Sequence, residues 1–317
     1  MAYHSSVRKN RVLIFLDMIS VRRACPSRSY PLICLTVMLA CTAYPESASV
    51  LGKPEVVADG FLAGEGPVWS RDGYLLVSDT EARRIYKYVP GQGKSVYREH
   101  SDGANGNTLD RQGRLYSCEY VARRVTRTSK TGKIETLADN YQGKRLNAPN
   151  DIVVRRDGHV YFTDPLFTPL DHRDLDIYGV YHISPAGELE LVASPKGRPN
   201  GIALSPTGKI LYVGNTDERN IRAYDLDRKG KALNERIVIS DLPGGPDGLK
   251  ADSKGNLYIT ARGVQIYTPA GKHLGAIEIP GGARNCAFGD RDFKSLYITG
   301  RTTLYRVRLN VKGAVQY

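Results

Sequence analysis

The stretch NDIVVRRDGHVYFTD at residues 150–164 decides the fold, because the chain carries its pattern six times. A short polar residue opens it, apolar residues alternate along a short strand, a glycine turn follows, and a second strand is rich in Tyr, Val and Leu. The repeats follow one another at intervals of 38 to 50 residues. The other copies are EGPVWSRDGYLLVSD (65–79), NGNTLDRQGRLYSCE (105–119), NGIALSPTGKILYVGN (200–215), DGLKADSKGNLYITA (247–261) and NCAFGDRDFKSLYITG (285–300).

Each repeat continues into further strand-like segments. A third strand follows the hairpin, as in RRIYKYV (83–89), and a fourth with a weaker apolar pattern follows that, as in LELVA (189–193). Four strands in a unit of 40–50 residues are typical of a propeller blade. The sequence therefore predicts an all-β, six-bladed β-propeller.

The two ends of the repeat region complement each other. The last unit has only three strands before the chain ends, and KPEVVADG (53–60) resembles the fourth strand of another unit, KIETLADN (133–140). An N-terminal strand that completes the last blade would leave no open sheet edge. We therefore expect the propeller to occupy residues 50–317.

The first 49 residues have the layout of a leader. Three arginines precede the apolar run PLICLTVMLACTAY (31–44), and a small polar stretch follows it. This order is typical of a secretory signal peptide, and the run is too short for a comfortable membrane span. We expect a leader over 1–49, with Met18 as an alternative start, and a periplasmic or secreted protein. Lipid attachment at Cys41 is a second interpretation.

Charge and cysteine content say little about partners. The net charge is +12, of which residues 1–50 supply +4 from six basic and two acidic residues, and the basic residues of the body are scattered. An anion- or nucleic-acid-binding scaffold rests on this charge alone, so we predict no nucleic-acid partner, and a monomer or dimer. Cys118 and Cys286 fall in non-adjacent blades, which predicts two buried thiols rather than a disulfide.

One position of the repeat carries an oxygen donor in all six units. Rotation about the propeller axis would arrange these side chains as a ring, and such a ring suits Ca²⁺, which takes six to eight oxygen ligands. The absence of His and Cys argues against zinc or copper, although Mg²⁺, Mn²⁺ or Zn²⁺ are alternatives to Ca²⁺. The competing interpretation is that Asn and Asp serve only as turn residues, but Glu65 is a poor turn residue. The ring residues are Glu65, Asn105, Asn150, Asn200, Asp247 and Asn285.

Further polar residues end the second strand of each hairpin in the first four units and lie just past it in the last two. They are expected to orient ligands or contact substrate, with ordinary exposed strand ends as the alternative. They are Asp79, Glu119, Asp164, Asn215, Arg262 and Arg301. We predict Glu119 and Asp164, together with Asn105 and Asn285, as channel or substrate-binding residues.

Three histidines are candidate bases. His172 lies in the long insertion 165–179, which we expect to overhang the channel mouth, and His100 and His182 are alternatives. The sequence has no G-x-S-x-G motif, which argues against a serine hydrolase.

These residues resemble the gluconolactonase/regucalcin family of calcium-dependent six-bladed propellers, in its bacterial gluconolactonase-like branch. The resemblance covers residues 55–312. The clearest motifs are GEGPVW (64–69), GKRLNAPNDIVV (143–154), RPNGIALSPTGKILYV (198–213) and GPDGLKADSKGNLYIT (245–260).

The resemblance implies a sugar lactonase whose Ca²⁺ is held by Glu65, Asn150, Asn200 and Asp247, with Asp247 also the proton acceptor. Regucalcins have a substrate-contacting arginine where this chain has Ala148, so that contact is absent or comes from another residue. Two alternatives stay open: a calcium-dependent phosphotriesterase or arylesterase, and a binding propeller with structural calcium only.

Overall fold

A computed structural model describes residues 50–167 and 173–315. The predicted leader (1–49), with Met18 and Cys41, lies outside these residues, and so does His172. Across the described ranges, no helix meets the length and hydropathy that a bilayer crossing requires.

The described chain is built from β-strands. Strand β1 spans Val50–Asp59. Blade 1 consists of β2 (Gly64–Ser70), β3 (Tyr74–Asp79), β4 (Arg84–Val89) and β5 (Gly93–Arg98). Blade 2 consists of β6 (Ala104–Leu109), β7 (Leu115–Glu119), β8 (Arg124–Thr128) and β9 (Ile134–Ala138). The hairpin of β10 (Asn140–Tyr141) and β11 (Lys144–Arg145) follows, which the sequence did not reveal.

Blade 3 consists of β12 (Ile152–Val154), β13 (Val160–Asp164), β14 (Gly179–Ile183) and β15 (Leu189–Ala193). Blade 4 consists of β16 (Pro199–Leu204), β17 (Ile210–Asn215), β18 (Asn220–Leu226) and β19 (Ala232–Ile239). Blade 5 consists of β20 (Leu249–Ala251), β21 (Leu257–Ala261), β22 (Gly263–Tyr267) and β23 (His273–Ile277). Blade 6 consists of β24 (Asn285–Gly289), β25 (Ser295–Thr299) and β26 (Thr303–Leu309).

The N-terminal strand closes the ring of blades. Each blade is an antiparallel sheet of four strands, and the sixth has the order β1-β26-β25-β24. Strand β1 pairs with β26 from Val50 opposite Leu309 to Asp59 opposite Thr303. The predicted six-bladed propeller is confirmed, as is its closure by the N-terminal strand.

In each blade the second strand from the axis is more buried than the outermost strand. Strand β13, second from the axis, is buried at all five residues, whereas the outermost strand β5 has no buried residue. The second strands are packed on both faces by neighbouring blades, which explains their continuous apolar runs. The outer strands face solvent and show the weaker pattern seen in the sequence.

Apolar side chains fill each junction between neighbouring blades. Six clusters of buried residues lie in the described chain, one at each junction. At the junction of blades 6 and 1, Trp69 stacks on Tyr297 with ring centroids 5.5 Å apart. The buried thiols belong to this packing: Cys118 and Cys286 are both free and buried, as predicted. The cores therefore fix the rotation from blade to blade, and with it the position of whatever the inner strands carry.

Turn chemistry follows the repeat. The turn glycines adopt positive φ, for example 90° at Gly73 and 95° at Gly158, whereas the sixth repeat places Phe293 in this conformation, with φ 55°. At the far end of the inner strands, the described C-terminal residues cross beneath the axis. There Gly313 pairs with Asp252, and the Ala314 N–H donates to the Ala251 carbonyl.

Candidate active site

A cavity of about 360 Å³ opens where the inner strands begin, and every blade contributes to its wall. Five of the six ring residues line it: Glu65, Asn105, Asn150, Asn200 and Asp247. The blades thus bring side chains separated by up to 182 positions in the sequence around one space.

Two carboxyl groups of the ring are buried in each other's field. Burial raises the pKa of Glu65 to about 7, against the lowering effects of Arg284 and of the Gly66 N–H. The pKa of Asp247 is also raised well above its usual range. Burial is the larger cause, and the negative charge of Glu65 is the second. The two neighbouring carboxyl groups resist ionising together, because each negative charge disfavours the other. A cation bound between them would stabilise both negative charges.

The amide of Asn200 has a fixed orientation. The Thr216 hydroxyl donates to the Pro246 carbonyl at 2.8 Å, so it accepts a hydrogen bond from Asn200 Nδ2 at 3.2 Å. This arrangement leaves Asn200 Oδ1 buried and without a partner among the described residues. A buried oxygen without a hydrogen bond is costly, and a cation at this point would satisfy it.

The remaining ring amides are also available as ligands. The side chains of Asn105 and Asn150 line the cavity, are half-buried and form no hydrogen bond to any described residue. No three His, Cys, Asp or Glu side chains of the described residues cluster closely enough to hold a metal ion. A cation here would therefore depend on amide oxygens beside two carboxylates, and such an all-oxygen set fits a hard ion such as Ca²⁺.

Asn285 does not offer its oxygen to the cavity, although the repeat pattern placed it in the ring. Its Oδ1 accepts a hydrogen bond from the Cys286 N–H at 2.8 Å, and its side chain hydrogen-bonds Glu65. The sixth ring position therefore orients Glu65 and supplies no free ligand oxygen.

Close backbone contact between inner strands sets the spacing of the ring. A Cβ added at Gly201 would lie 2.1 Å from the Asp247 carbonyl oxygen, and one added at Gly106 would lie 2.6 Å from that of Asn150. Only glycine allows neighbouring strands to approach this closely. The glycine after a ring donor is thus a spacer for the donor of the next blade.

Asp164 does not line the cavity, contrary to the sequence expectation. Its carboxylate is fully buried and accepts the backbone N–H groups of Asn147 and Ala148 at 2.8 and 2.7 Å. Asp79 accepts those of Leu62 and Ala63 in the same way. Both carboxylates turn inward because the loop before the ring residue of their own blade has N–H groups that would otherwise be unsatisfied. Asp164 therefore positions the loop that carries Asn150, and Asp79 positions the loop that carries Glu65.

Glu119 is likewise turned away from the cavity. Its side chain is buried and binds Arg98 at 2.7 Å, Arg124 at 2.6 Å and the Thr126 hydroxyl at 2.9 Å. This strand end holds the first two blades together rather than contacting a ligand, because a buried carboxylate takes the cations nearest to it.

The candidate histidine bases that the structure describes lie elsewhere. His100 is exposed in the loop between blades 1 and 2. His182 is buried within blade 3, where its Nε2 lies 2.7 Å from His159 Nδ1. Neither lines the cavity. Carboxyl groups are therefore the acid–base groups of the described cavity wall, apart from Tyr120 and Arg284.

A buried ion pair beneath the ring escaped the sequence analysis. The Asp151 carboxylate accepts the N–H groups of Ile152 and Ile202 at 3.0 and 3.2 Å, and Lys250 Nζ lies 3.7 Å away. Asp151 follows a ring donor in the sequence, at the position where four of the other repeats have glycine. That departure from the repeat was the available signal.

Arg284 also escaped the sequence analysis. It lines the cavity, and its Nε lies 3.6 Å from Glu65 Oε1. The residue before the ring donor is Gly, Ala or Pro in the other five repeats and Arg only in the sixth. Ala148 lines the same cavity without a polar side-chain atom, as does Phe167, over which Arg198 stacks at 4.6 Å from the ring centroid.

Comparison with known proteins places this geometry in a family. The profile of the SMP-30/Gluconolactonase/LRE-like region matches residues 63–302. The gluconolactonase of Zymomonas mobilis is 34% identical over 292 residues, which cover 82% of this chain and 82% of that protein. Pentonolactonase XacC of Haloferax volcanii is 28% identical, covering 77% of this chain and 83% of its own.

A solved structure agrees with the fold. The gluconolactonase XC5397 of Xanthomonas campestris superimposes with a TM-score of 0.77 at 35% identity, over 83% of this chain and 91% of that one. The family profile spans all six ring residues and most of the chain, so this chain belongs to the SMP-30/gluconolactonase/LRE-like family.

Proposed function

We propose that this protein hydrolyses the ester bond of a small sugar lactone, and that a divalent cation, Ca²⁺ in the first place, binds in the ring during the reaction. One observation carries the proposal: Glu65, Asp247 and the unpartnered oxygen of Asn200 meet in one cavity on the propeller axis. The names of the relatives support the substrate class, since a gluconolactonase and a pentonolactonase both act on sugar lactones.

The cation would be held by Glu65, Asn150, Asn200 and Asp247. A bound divalent cation polarises a carbonyl and stabilises the negative charge that develops on its oxygen. All four residues line the cavity. We infer that Mg²⁺ or Mn²⁺ would serve less well, because the half-buried Asn150 amide and the spread of donors over four blades suit an irregular shell.

Asp247 would direct the attacking water. Its carboxylate lines the cavity, and its backbone is fixed by a 2.7 Å hydrogen bond to the Thr260 carbonyl. A water held there adds to the acyl carbon of the lactone. The C–O bond of the lactone ring then breaks, and a proton passes to the departing oxygen. Beside a bound cation this carboxylate would stay ionised, so it would orient the water and accept its proton, and neither His100 nor His182 lines the cavity to take that role.

A pH-stat assay on D-glucono-δ-lactone tests the proposal. We expect hydrolysis with added Ca²⁺ and a loss of rate after EDTA treatment. The Asp247→Asn variant should lose at least about 100-fold in kcat/KM, the lower end of the usual contribution of a general base. Asp241→Asn is the matched control, because Asp241 is exposed, lies outside the cavity wall and has a positive φ that Asn tolerates.

Four results would count against the proposal. Undiminished hydrolysis in EDTA would remove the cation from the mechanism, and full activity of Asp247→Asn would remove its role in catalysis. If Ca²⁺ raises the melting temperature but no lactone is opened, the ring is a structural calcium site. Paraoxon and phenyl acetate belong in the same panel, since turnover of either alone would favour the phosphotriesterase or arylesterase alternative.

A further inference from the structure

Arg284 is the one cationic side chain among the described residues that line the cavity. Its main chain is fixed at three points: the N–H donates to the Thr299 carbonyl at 2.8 Å, and the carbonyl accepts from the Gly248 N–H at 2.8 Å and from the Thr260 hydroxyl at 2.6 Å. The guanidinium is therefore delivered to the cavity from a rigid backbone, as a binding group requires.

The guanidinium has unused hydrogen-bonding capacity. Its Nε lies 3.6 Å from Glu65 Oε1, which is within range of an ion pair but too long for a hydrogen bond. It forms no hydrogen bond to any described residue, and 35% of the side chain is exposed. An arginine has five N–H donors, so all of them are open to a ligand or to water.

Two other arginines at this end of the propeller, Arg198 and Arg301, do not share this state. Arg198 is held by Asp217, with a closest contact of 2.6 Å, and Arg301 binds Glu81 at 2.8 Å. Arg284 has only the looser contact with Glu65. If a divalent cation occupies the ring as proposed, it would compensate Glu65 and Asp247, and the charge of Arg284 would then lack a counterpart.

We propose that Arg284 is the carboxylate-binding residue of this cavity. Its planar fork of donors matches a carboxylate in two parallel hydrogen bonds, which a lysine cannot reproduce. This inference rests on the proposed function and specifies its ligand class: a polyhydroxylated acid.

The carboxylate can come from two sources. Hydrolysis adds the elements of water across the ring C–O bond and yields a hydroxyl group and a carboxylic acid, which loses its proton at neutral pH. The first source is therefore the aldonate product. The second is a lactone that already carries an acid group elsewhere on its carbon chain.

Calorimetric titration with sodium D-gluconate tests the binding itself. The protein is the full chain with Ca²⁺, and D-glucitol, which has the same hydroxyl groups without the acid, is the neutral probe. We expect gluconate to bind wild type more tightly than glucitol does, and Arg284→Gln to weaken gluconate binding at least tenfold, the low end for a hydrogen bond to a charged group. Arg284→Lys should recover part of the affinity. Arg291→Gln, an exposed charge loss outside the cavity wall, should leave it unchanged.

Kinetics distinguish the two sources. D-Glucaro-1,4-lactone is the lactone with an acid group, and D-glucono-δ-lactone is the lactone without one, so the ratio of their kcat/KM values measures recognition of a substrate carboxylate. If the carboxylate is that of the product, Arg284→Gln raises the inhibition constant of gluconate and leaves this ratio as in wild type. If the substrate supplies it, that ratio falls by the same factor as the gluconate affinity. Equal gluconate affinity of Arg284→Gln and wild type, with an unchanged ratio, would overturn the inference. If no lactone is hydrolysed but gluconate affinity still depends on Arg284, the proposed function fails and the inference stands.

Discussion

Replacement of Gly201 by alanine tests whether strand spacing sets the ring. The added Cβ would lie 2.1 Å from the Asp247 carbonyl oxygen and 2.8 Å from the backbone at Gly248 and Leu249. All of these atoms are backbone, so no side-chain rotation can relieve the contact. The φ of Gly201 is outside the left-handed region, so the whole effect is steric.

The size of the effect follows from that distance. Strands β16 and β20 must separate by about 1 Å before the contact becomes tolerable. Overpacking of this kind costs about 1–3 kcal/mol of unfolding free energy, which lowers the melting temperature of a domain this large by about 2–12 °C. Because Asn200 and Asp247 move apart, we expect kcat/KM on the lactone to fall by about 100-fold, the cost of a 1 Å misplacement.

The assay pairs thermal unfolding with lactone hydrolysis, and Gly244→Ala is the control. A Cβ at Gly244 meets nothing closer than 3.4 Å, and its φ also lies outside the left-handed region. That variant should melt within a degree or two of wild type and keep its activity. If Gly201→Ala matches wild type in both melting temperature and kcat/KM, close strand approach does not position the ring donors.

Two further predictions concern buried polar pairs. Asp151→Asn should cost more stability than Lys250→Met in urea unfolding, by about 1–3 kcal/mol, because the Asp151 carboxylate also accepts two backbone N–H groups, including that of Ile202; equal losses would contradict this. Burial lowers the pKa of both His159 and His182, so the unfolded chain binds more protons than the folded one as the pH falls below about 6.5. The raised pKa values of Glu65 and Asp247 act in the opposite direction over the same range, so the prediction concerns the difference between variant and wild type. Between pH 7.5 and 5.5 the stability of His182→Gln should decline relative to its own value at pH 7.5 by less than that of the wild type, by at most about 1.4 kcal/mol per pH unit for each proton taken up; identical pH profiles of variant and wild type would refute it.

The repeat in the sequence was sufficient to predict the propeller. Alternating apolar residues and turn glycines are local signals, and six copies leave few other ways to bury the strands. The closing strand was predictable for the same reason, since KPEVVADG supplies the fourth strand that the last unit lacks. The ring positions followed from rotation, because equivalent residues of the blades must face the same axis.

Tertiary structure alone decided what each polar side chain does there. Asp164 and Glu119 stand at strand ends like candidate ligands, yet Asp164 accepts local N–H groups and Glu119 binds arginines. The Asn285 side-chain oxygen accepts the N–H of the next residue, Cys286. Arg284 became visible as a site residue only once the fold placed it across from Glu65. Sequence specifies which residues share a face, because periodicity is a local property. Which of these residues keeps a free donor or acceptor depends on side chains and backbone groups of other blades that compete for the same hydrogen bonds. The sequence of a single repeat contains no information about these neighbours.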